Sequence, residues 1–303
     1  MSNLLQRVQE QRESVAAAAS SAAQEVPLAQ LMEAEVRTGS VELPVLPEVA
    51  VKVRDIIARD GHSSEISAVI EREPAFAASV LRYANSVAFA GLKEITDLRQ
   101  AVTRLGTNAV EQMILAISAR GAFQGGDPAD ENVLRRLWNH SISTALAARR
   151  LAARTQGVGP EQAFLGGLLH DIGKVVILRS VASLRRRDPV RYGFPEPALL
   201  EFFDSLHCSI GEALFDSWRL PKEIRDVVRR HHDERLDPVK DHLVLMVSFA
   251  DRITAKLGSS LRPDPTLSLL EHPAAAPLRL DDVKLAALLI DIEDDVQAFQ
   301  ESF

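Results

Sequence analysis

The stretch Gly166–Lys174 reads GGLLHDIGK, with a histidine and an aspartate side by side where an apolar helix runs out. Such a pair is either the polar end of a helix or two ligands of a metal, because neutral imidazole and carboxylate are donors that first-row divalent cations accept. Residues of the same kinds recur at helical phase elsewhere. His140 shares a stripe with Val133, Leu137, Ala147 and Leu151, so its ring faces the packed side of its helix. His231 follows Ile224, Val227 and Val228 on one face, and His232, one turn after Val228, takes the edge of that face. His207 leads into Ile210, Gly211 and Leu214, while Asp251 falls in phase with Val244 and Val247. His62, His242 and His272 stand apart from this pattern.

A single buried histidine is commonly a core residue satisfied by one hydrogen bond. Asp251 is harder to accommodate, since an inward carboxylate is costly unless it meets a cation, and its own helical face offers no arginine or lysine. Neutral imidazoles do not neutralise two carboxylates. A divalent cation does.

Elements that position these residues follow from the periodicity, which is helical nearly throughout and predicts an all-α chain. The first 40 residues read as an amphipathic or partly disordered helical arm ending near Gly39. Pro44 and Pro47 then hold an extended segment before a helix carrying Val49, Val51, Val53, Ile56 and Ile57. Short helices are expected over 64–72, 75–88, 96–104 and 108–123, with turns at Gly61, Pro74, Gly91 and Gly106 and with Thr107 or Asn108 as N-cap of the last. The segment GGDPADEN at 125–132 reads as a linker. Longer helices are expected near 131–155, 160–171, 197–217, 221–232 and 241–257, the last closed by Gly258. A proline-broken stretch from Ser259 to Pro277 precedes an acidic amphipathic helix at about 281–300. The expected organisation is an arm (1–40), a helical half (41–124) packed against a second half (131–257), and a C-terminal loop and helix (258–303).

Composition narrows the function classes. At 303 residues and 46% hydrophobic, the chain can bury a sizeable core. A formal charge of −7 gives no general attraction to nucleic acid or anionic membrane. One cysteine, Cys208, excludes an internal disulfide framework and fits a reducing cytoplasm. The alanine-rich N-terminus is interrupted by Arg7, Glu10, Arg12 and Glu13, and no stretch approaches the roughly 20 apolar residues of a membrane span. Several other features read as structural. The run Arg185–Arg187, with Arg191 behind it, is expected to be a solvated loop. Asn85, beside Tyr83 and Ser86, is expected to tie down backbone. Gly166 and Gly167 suggest a close helix contact, and Trp138 and Trp218 suggest core anchors. The arginines of ARRLAAR lie opposite the His140 stripe with no helix-turn-helix signature, so DNA is not expected.

The order His140, His170–Asp171, Asp251 resembles the H…HD…D pattern of the HD superfamily of metal-dependent phosphohydrolases. The segments ELPVLPEVAVKV, EREPAFAASVLRYANSVAF, LRQAVTRLGTNAVEQMIL, LWNHS, AFLGGLLHDIGKVV and HCSIGEALFDSWRLPKEIRDVVRRHH resemble more narrowly the HDOD domain, the regulatory branch of that superfamily in bacterial signalling proteins. The resemblance implies a multi-helix HD-type bundle packed against an N-terminal helical subdomain. It also implies a signalling module acting through a protein or nucleotide ligand, while the charge and the missing helix-turn-helix signature and membrane span leave no DNA and no membrane partner expected. His140, His170, Asp171, His207, His231, His232 and Asp251 match the binuclear-metal ligands of the similar HD-GYP phosphodiesterases, and Lys174 matches the lysine after their HD pair. One or two divalent ions (Fe, Mn, Ni or Zn) are then expected, and Asp171 and Lys174 would be the catalytic residues if the site turned over a phosphoester. Two departures count against cyclic di-GMP hydrolysis. Arg136 stands where HD-GYP enzymes with a third metal carry glutamate, and HHDERLDPVKDH lacks the GYP segment.

Overall fold

A computed structural model describes residues 46–85, 94–124, 127–218 and 220–302. The expected arm over 1–40 and the features at Pro44, Ser86, Gly91 and Gly125 lie outside the described residues. Within them the fold is all-α, with no strand.

Five helices come first: α1 (Glu48–Ala58), α2 (Ser63–Ile70), α3 (Pro74–Ala84), α4 (Leu98–Leu105) and α5 (Thr107–Ala122). In α1 the buried positions are Val49, Ala50, Val53 and Ile56, whereas Val51 is 44% exposed because it falls between the turns that face the core. Asn85 ties down backbone as expected, donating from Nδ2 to Leu81 O and Ile95 O and accepting from Ile95 N. Neither Thr107 nor Asn108 caps α5. Gly106, at φ +83°, occupies the cap and lets α4 and α5 meet at one residue.

A 3₁₀ turn (Pro128–Asp130) leads into the second set: α6 (Glu131–Ala152), α7 (Pro160–Leu169), α8 (Ile172–Arg187), the short α9 (Pro189–Tyr192), α10 (Glu196–Trp218), α11 (Lys222–Arg230), α12 (His242–Lys256) and α13 (Asp282–Ser302). The helix α8 was not expected. Its last turn carries Arg185, Arg186 and Arg187, so the predicted solvated loop is instead a helix end. Arg185 binds Asp127 at 3.1 Å and Asp130 at 2.5 Å, fastening α8 to the segment before α6.

Helix α7 is the hub, because it packs on α6, α11 and α12 and also on α5, which joins the first five helices to it. Leu165, Leu168 and Leu169 are wholly buried there. Glycines set the closest approaches. A Cβ on Gly167 would stand 2.7 Å from Ala145 Cα, and one on Gly173 would stand 1.9 Å from His207 O, so α6–α7 and α8–α10 contacts both require glycine. Trp218 is buried, but Trp138 is only half-buried and packs edge-on against Phe123. The arginines at the end of α6 dock α13: Arg150 binds Asp295 at 2.7 Å and Arg154 binds Asp291 at 2.5 Å. No helix among the described residues is long and apolar enough to cross a membrane.

Candidate metal centre

The pair His170–Asp171 occupies the junction between α7 and α8, where the chain turns by two residues and starts a new helix. Both residues are buried, with His170 wholly inaccessible. His140 comes from the middle of α6, His207 from α10, His231 and His232 from the end of α11, and Asp251 from α12. His140 Nε2 lies 3.3 Å from Asp171 Oδ2, 3.2 Å from Asp251 Oδ1 and 3.2 Å from His170 Nε2. On the other side of Asp171, Oδ1 lies 3.4 Å from His207 Nε2 and 3.7 Å from His231 Nε2. Two groups therefore adjoin: His140, His170 and Asp251, and Asp171, His207, His231 and His232, each with its donor atoms within 4.8 Å of one another.

Ring orientation is fixed from behind. His140 Nδ1 faces Ser259 O at 2.7 Å, His170 Nδ1 faces Gly167 O at 2.7 Å, His207 Nδ1 faces Phe203 O at 2.5 Å and His231 Nδ1 faces Val227 O at 3.0 Å. A carbonyl only accepts, so each Nδ1 carries the hydrogen and each neutral ring turns a bare Nε2 inward. In the second group the Nε2 atoms of His207 and His231 are 3.3 Å apart, and Asp171 Oδ1 has no hydrogen-bond partner among the described residues. Acceptors facing acceptors in a buried place favour a cation. Burial pushes His207 down to about 3, so its ring is a neutral ligand type at ordinary pH.

The first group has a different balance. Sequence reasoning held that no basic residue faces the two carboxylates, and this is corrected by Lys174, whose Nζ lies 2.5 Å from Asp171 Oδ2. Burial opposes charge on His140, yet Asp171 and Asp251 outweigh it and raise the imidazole to about 9. Burial likewise opposes ionisation of Asp251, but His140 holds its carboxyl well below the usual range. Protonated His140 and Lys174 together balance Asp171 and Asp251, so the centre has a neutral state with protons in place of a metal.

Two neighbours were not legible as parts of the site. Cys208 Sγ lies 3.3 Å from His207 Nε2, and burial raises its thiol to about 12. Ser259 contributes only a carbonyl, which no side-chain pattern signals. Arg136, at the position of the glutamate in three-metal HD-GYP enzymes, pairs with Glu196 and donates to Leu261 O at 3.2 Å. Arg262 binds Asp204 of α10 at 2.9 Å. The segment 259–262 thus crosses from α6 to α10 beside the centre. In place of a GYP segment, Asp241 takes Arg230 at 2.6 Å and the Asp237 amide at 3.0 Å.

Residues 43–234 match the HDOD domain family. Asp251 and the crossing segment lie beyond that match. A solved structure of an HDOD domain protein from Geobacter sulfurreducens is 25% identical, with a TM-score of 0.66, 88% of this chain and 96% of that one being covered. A candidate metal-dependent phosphohydrolase from Shewanella amazonensis superposes with a TM-score of 0.74 at 21% identity, over 89% of this chain and 97% of that one, and so shares the fold. Among curated proteins, Ribonuclease Y of Acholeplasma laidlawii is 28% identical over 70% of this chain and 32% of its own length. An uncharacterised protein of Treponema pallidum is 28% identical over 69% of this chain and 42% of its own. The chain thus spans less than half the length of these curated relatives.

Proposed function

The chain belongs to the HDOD domain family, and from that premise we propose that it is a regulatory module of bacterial signal transduction built around a divalent-metal centre. One observation carries the reading: the bare Nε2 atoms of His207 and His231 and an unpartnered Asp171 oxygen converge in a buried place, with His140, His170 and Asp251 adjoining it. His140, His170 and Asp251 would hold one ion and Asp171, His207, His231 and His232 a second, with donors that suit Fe, Mn, Ni or Zn. A bound ion supplies charge neutralisation and Lewis acidity toward a phosphoryl oxygen. The chain's own residues orient the rings of His140, His170, His207 and His231 through backbone carbonyls.

Lys174 favours holding over turnover. Its ammonium is spent on Asp171 and is mostly buried, rather than presented to an incoming phosphate. The output is then a surface recognised by a signalling protein, or a nucleotide ligand, in a cytoplasmic setting, with neither DNA nor membrane involved. Completeness of the ligand set favours one second reading, an HD-type phosphoesterase in which Asp171 and Lys174 are the catalytic residues.

Metal analysis of protein purified without chelator, followed by incubation with cyclic di-GMP and added manganese or iron, separates these. The expected result is about one to two equivalents of metal and turnover far below roughly 1 per second. Protein without stoichiometric metal under any loading condition would sink the centre. Robust release of linear dinucleotide or GMP, abolished by Asp171→Ala, would hand the protein to the phosphoesterase reading.

A further inference from the structure

The far end of the α6–α12 pair carries a cavity of about 570 Å³, within the range of small-molecule sites. It lies about 20 Å along α6 from His140 at 1.5 Å per residue. Its walls are the residues just after α6, the first turns of α12 and the turn at 277–279 ahead of α13.

The lining is chemically one-sided. Arg154, Arg279 and His242 face it and no acidic residue does, in a chain whose net charge is −7. Arg154 engages Asp291 at 2.5 Å through one nitrogen. Arg279 makes no ion pair among the described residues and sits at φ +50°, a left-handed conformation that disfavours a residue bearing a side chain. Between the lining residues Gln156 and Val158, Gly157, at φ +95°, approaches so closely that a Cβ there would stand 3.0 Å from His242 Nδ1. The first-turn amides of α12 have no side-chain cap, because Asp241 gives its carboxylate to Arg230 and to the Asp237 amide. Leu245, Met246 and Leu278 supply an apolar floor.

We propose that this cavity binds a small organic phosphate. Arg279 and Arg154 would take the phosphoryl oxygens, whose spacing matches a guanidinium fork, with His242 and the uncapped amides completing the anion site. The organic body would lie on the apolar floor. None of these residues belongs to the histidine–aspartate centre, so the site stands or fails independently of the metal reading.

Isothermal titration calorimetry on the full chain in EDTA tests it, with GMP, inorganic phosphate and guanosine as probes. GMP should bind at one saturable site, inorganic phosphate should compete, and guanosine should give no binding. Arg279→Gly relieves the left-handed backbone, so it should keep or raise the melting temperature while weakening GMP at least tenfold. His242→Gln should weaken GMP as well and serves as the second variant. Silence with both GMP and phosphate, equal binding of guanosine, or GMP affinity indifferent to both substitutions would each overturn the proposal. Binding lost in Asp171→Ala but kept in Arg279→Gly would also overturn it, by moving the phosphate to the other centre.

Discussion

The ammonium of Lys174 rests 2.5 Å from a carboxylate that is itself 1% exposed, and that contact decides how the centre tolerates the loss of metal. Lys174→Met removes one of the two positive charges that balance Asp171 and Asp251. Breaking a buried pair in this way typically costs about 3–5 kcal/mol. The loss should be near that in metal-free protein and clearly smaller in metal-loaded protein, because the ion then neutralises the carboxylates. Urea denaturation with and without manganese measures both, and an equal loss in the two states would show that lysine and metal do not share Asp171. His272 gives a second test at this scale. The Ala274 amide donates to its Nδ1 at 3.2 Å, its ring stacks on Phe249, and burial lowers its pKa to about 4. The neutral ring's contribution to stability is complete above the unfolded value near 6.5 and is lost as pH falls from there toward 4. His272→Gln should therefore flatten the decline of melting temperature over that window. A slope unchanged by the substitution would place the acid sensitivity elsewhere. The inward histidines and Asp251 were legible because helical phase alone assigns a face. Lys174's role was not, since Asp171 ends one helix and Lys174 opens the next, and a face-by-face reading does not cross that break.

At the scale of elements, glycines hold the ligands at their spacing. Gly173 opens α8 directly beneath His207 of α10, with room for a hydrogen and not for a methyl group: the added carbon would meet His207 O at 1.9 Å. Gly173→Ala must push α10 away and carry His207 with it. The expected cost is at least the 1–3 kcal/mol typical of overpacking, together with a drop in bound metal from the Asp171, His207, His231 and His232 group. Thermal melting and metal analysis on the same preparation check this, and a variant that melts and loads like the parent would remove the close contact from the account. Why α8 escaped the sequence reading is itself physical. Val175, Val176, Ile177 and Leu178 are all buried, so the run shows no polar stripe at a 3.6-residue period, and its β-branched residues dilute helix propensity. Helices with one wet face, such as α11, stood out for the converse reason. The docking of Arg185 onto Asp127 and Asp130 depends on neighbours distant in sequence, which periodicity does not report.

Across the whole molecule, the segments after residue 234 complete what the HDOD match begins. Asp251 enters the centre from α12, Ser259 fixes His140 from behind, and α13 clamps α6 through Arg150 and Arg154. Because donors from α6, α7, α8, α10, α11 and α12 meet at one place, a metal bound there links the second set of helices as a unit and binds only the folded chain. Its stabilisation is about 2.7 kcal/mol at a free concentration one hundred times Kd. For a chain of this size that is about 4 °C in melting temperature. Chelation should lower the melting temperature by this order, and Asp171→Ala should remove the part of that difference contributed by the Asp171, His207, His231 and His232 group. Arg279→Gly, at the other end of the α6–α12 pair, should leave that difference intact. Scanning calorimetry of the three proteins with and without EDTA decides the matter. If chelation leaves the parent's melting temperature unmoved after loading, the acceptors around Asp171 are served by protons and Lys174 alone, and His170–Asp171 is the polar junction of two helices.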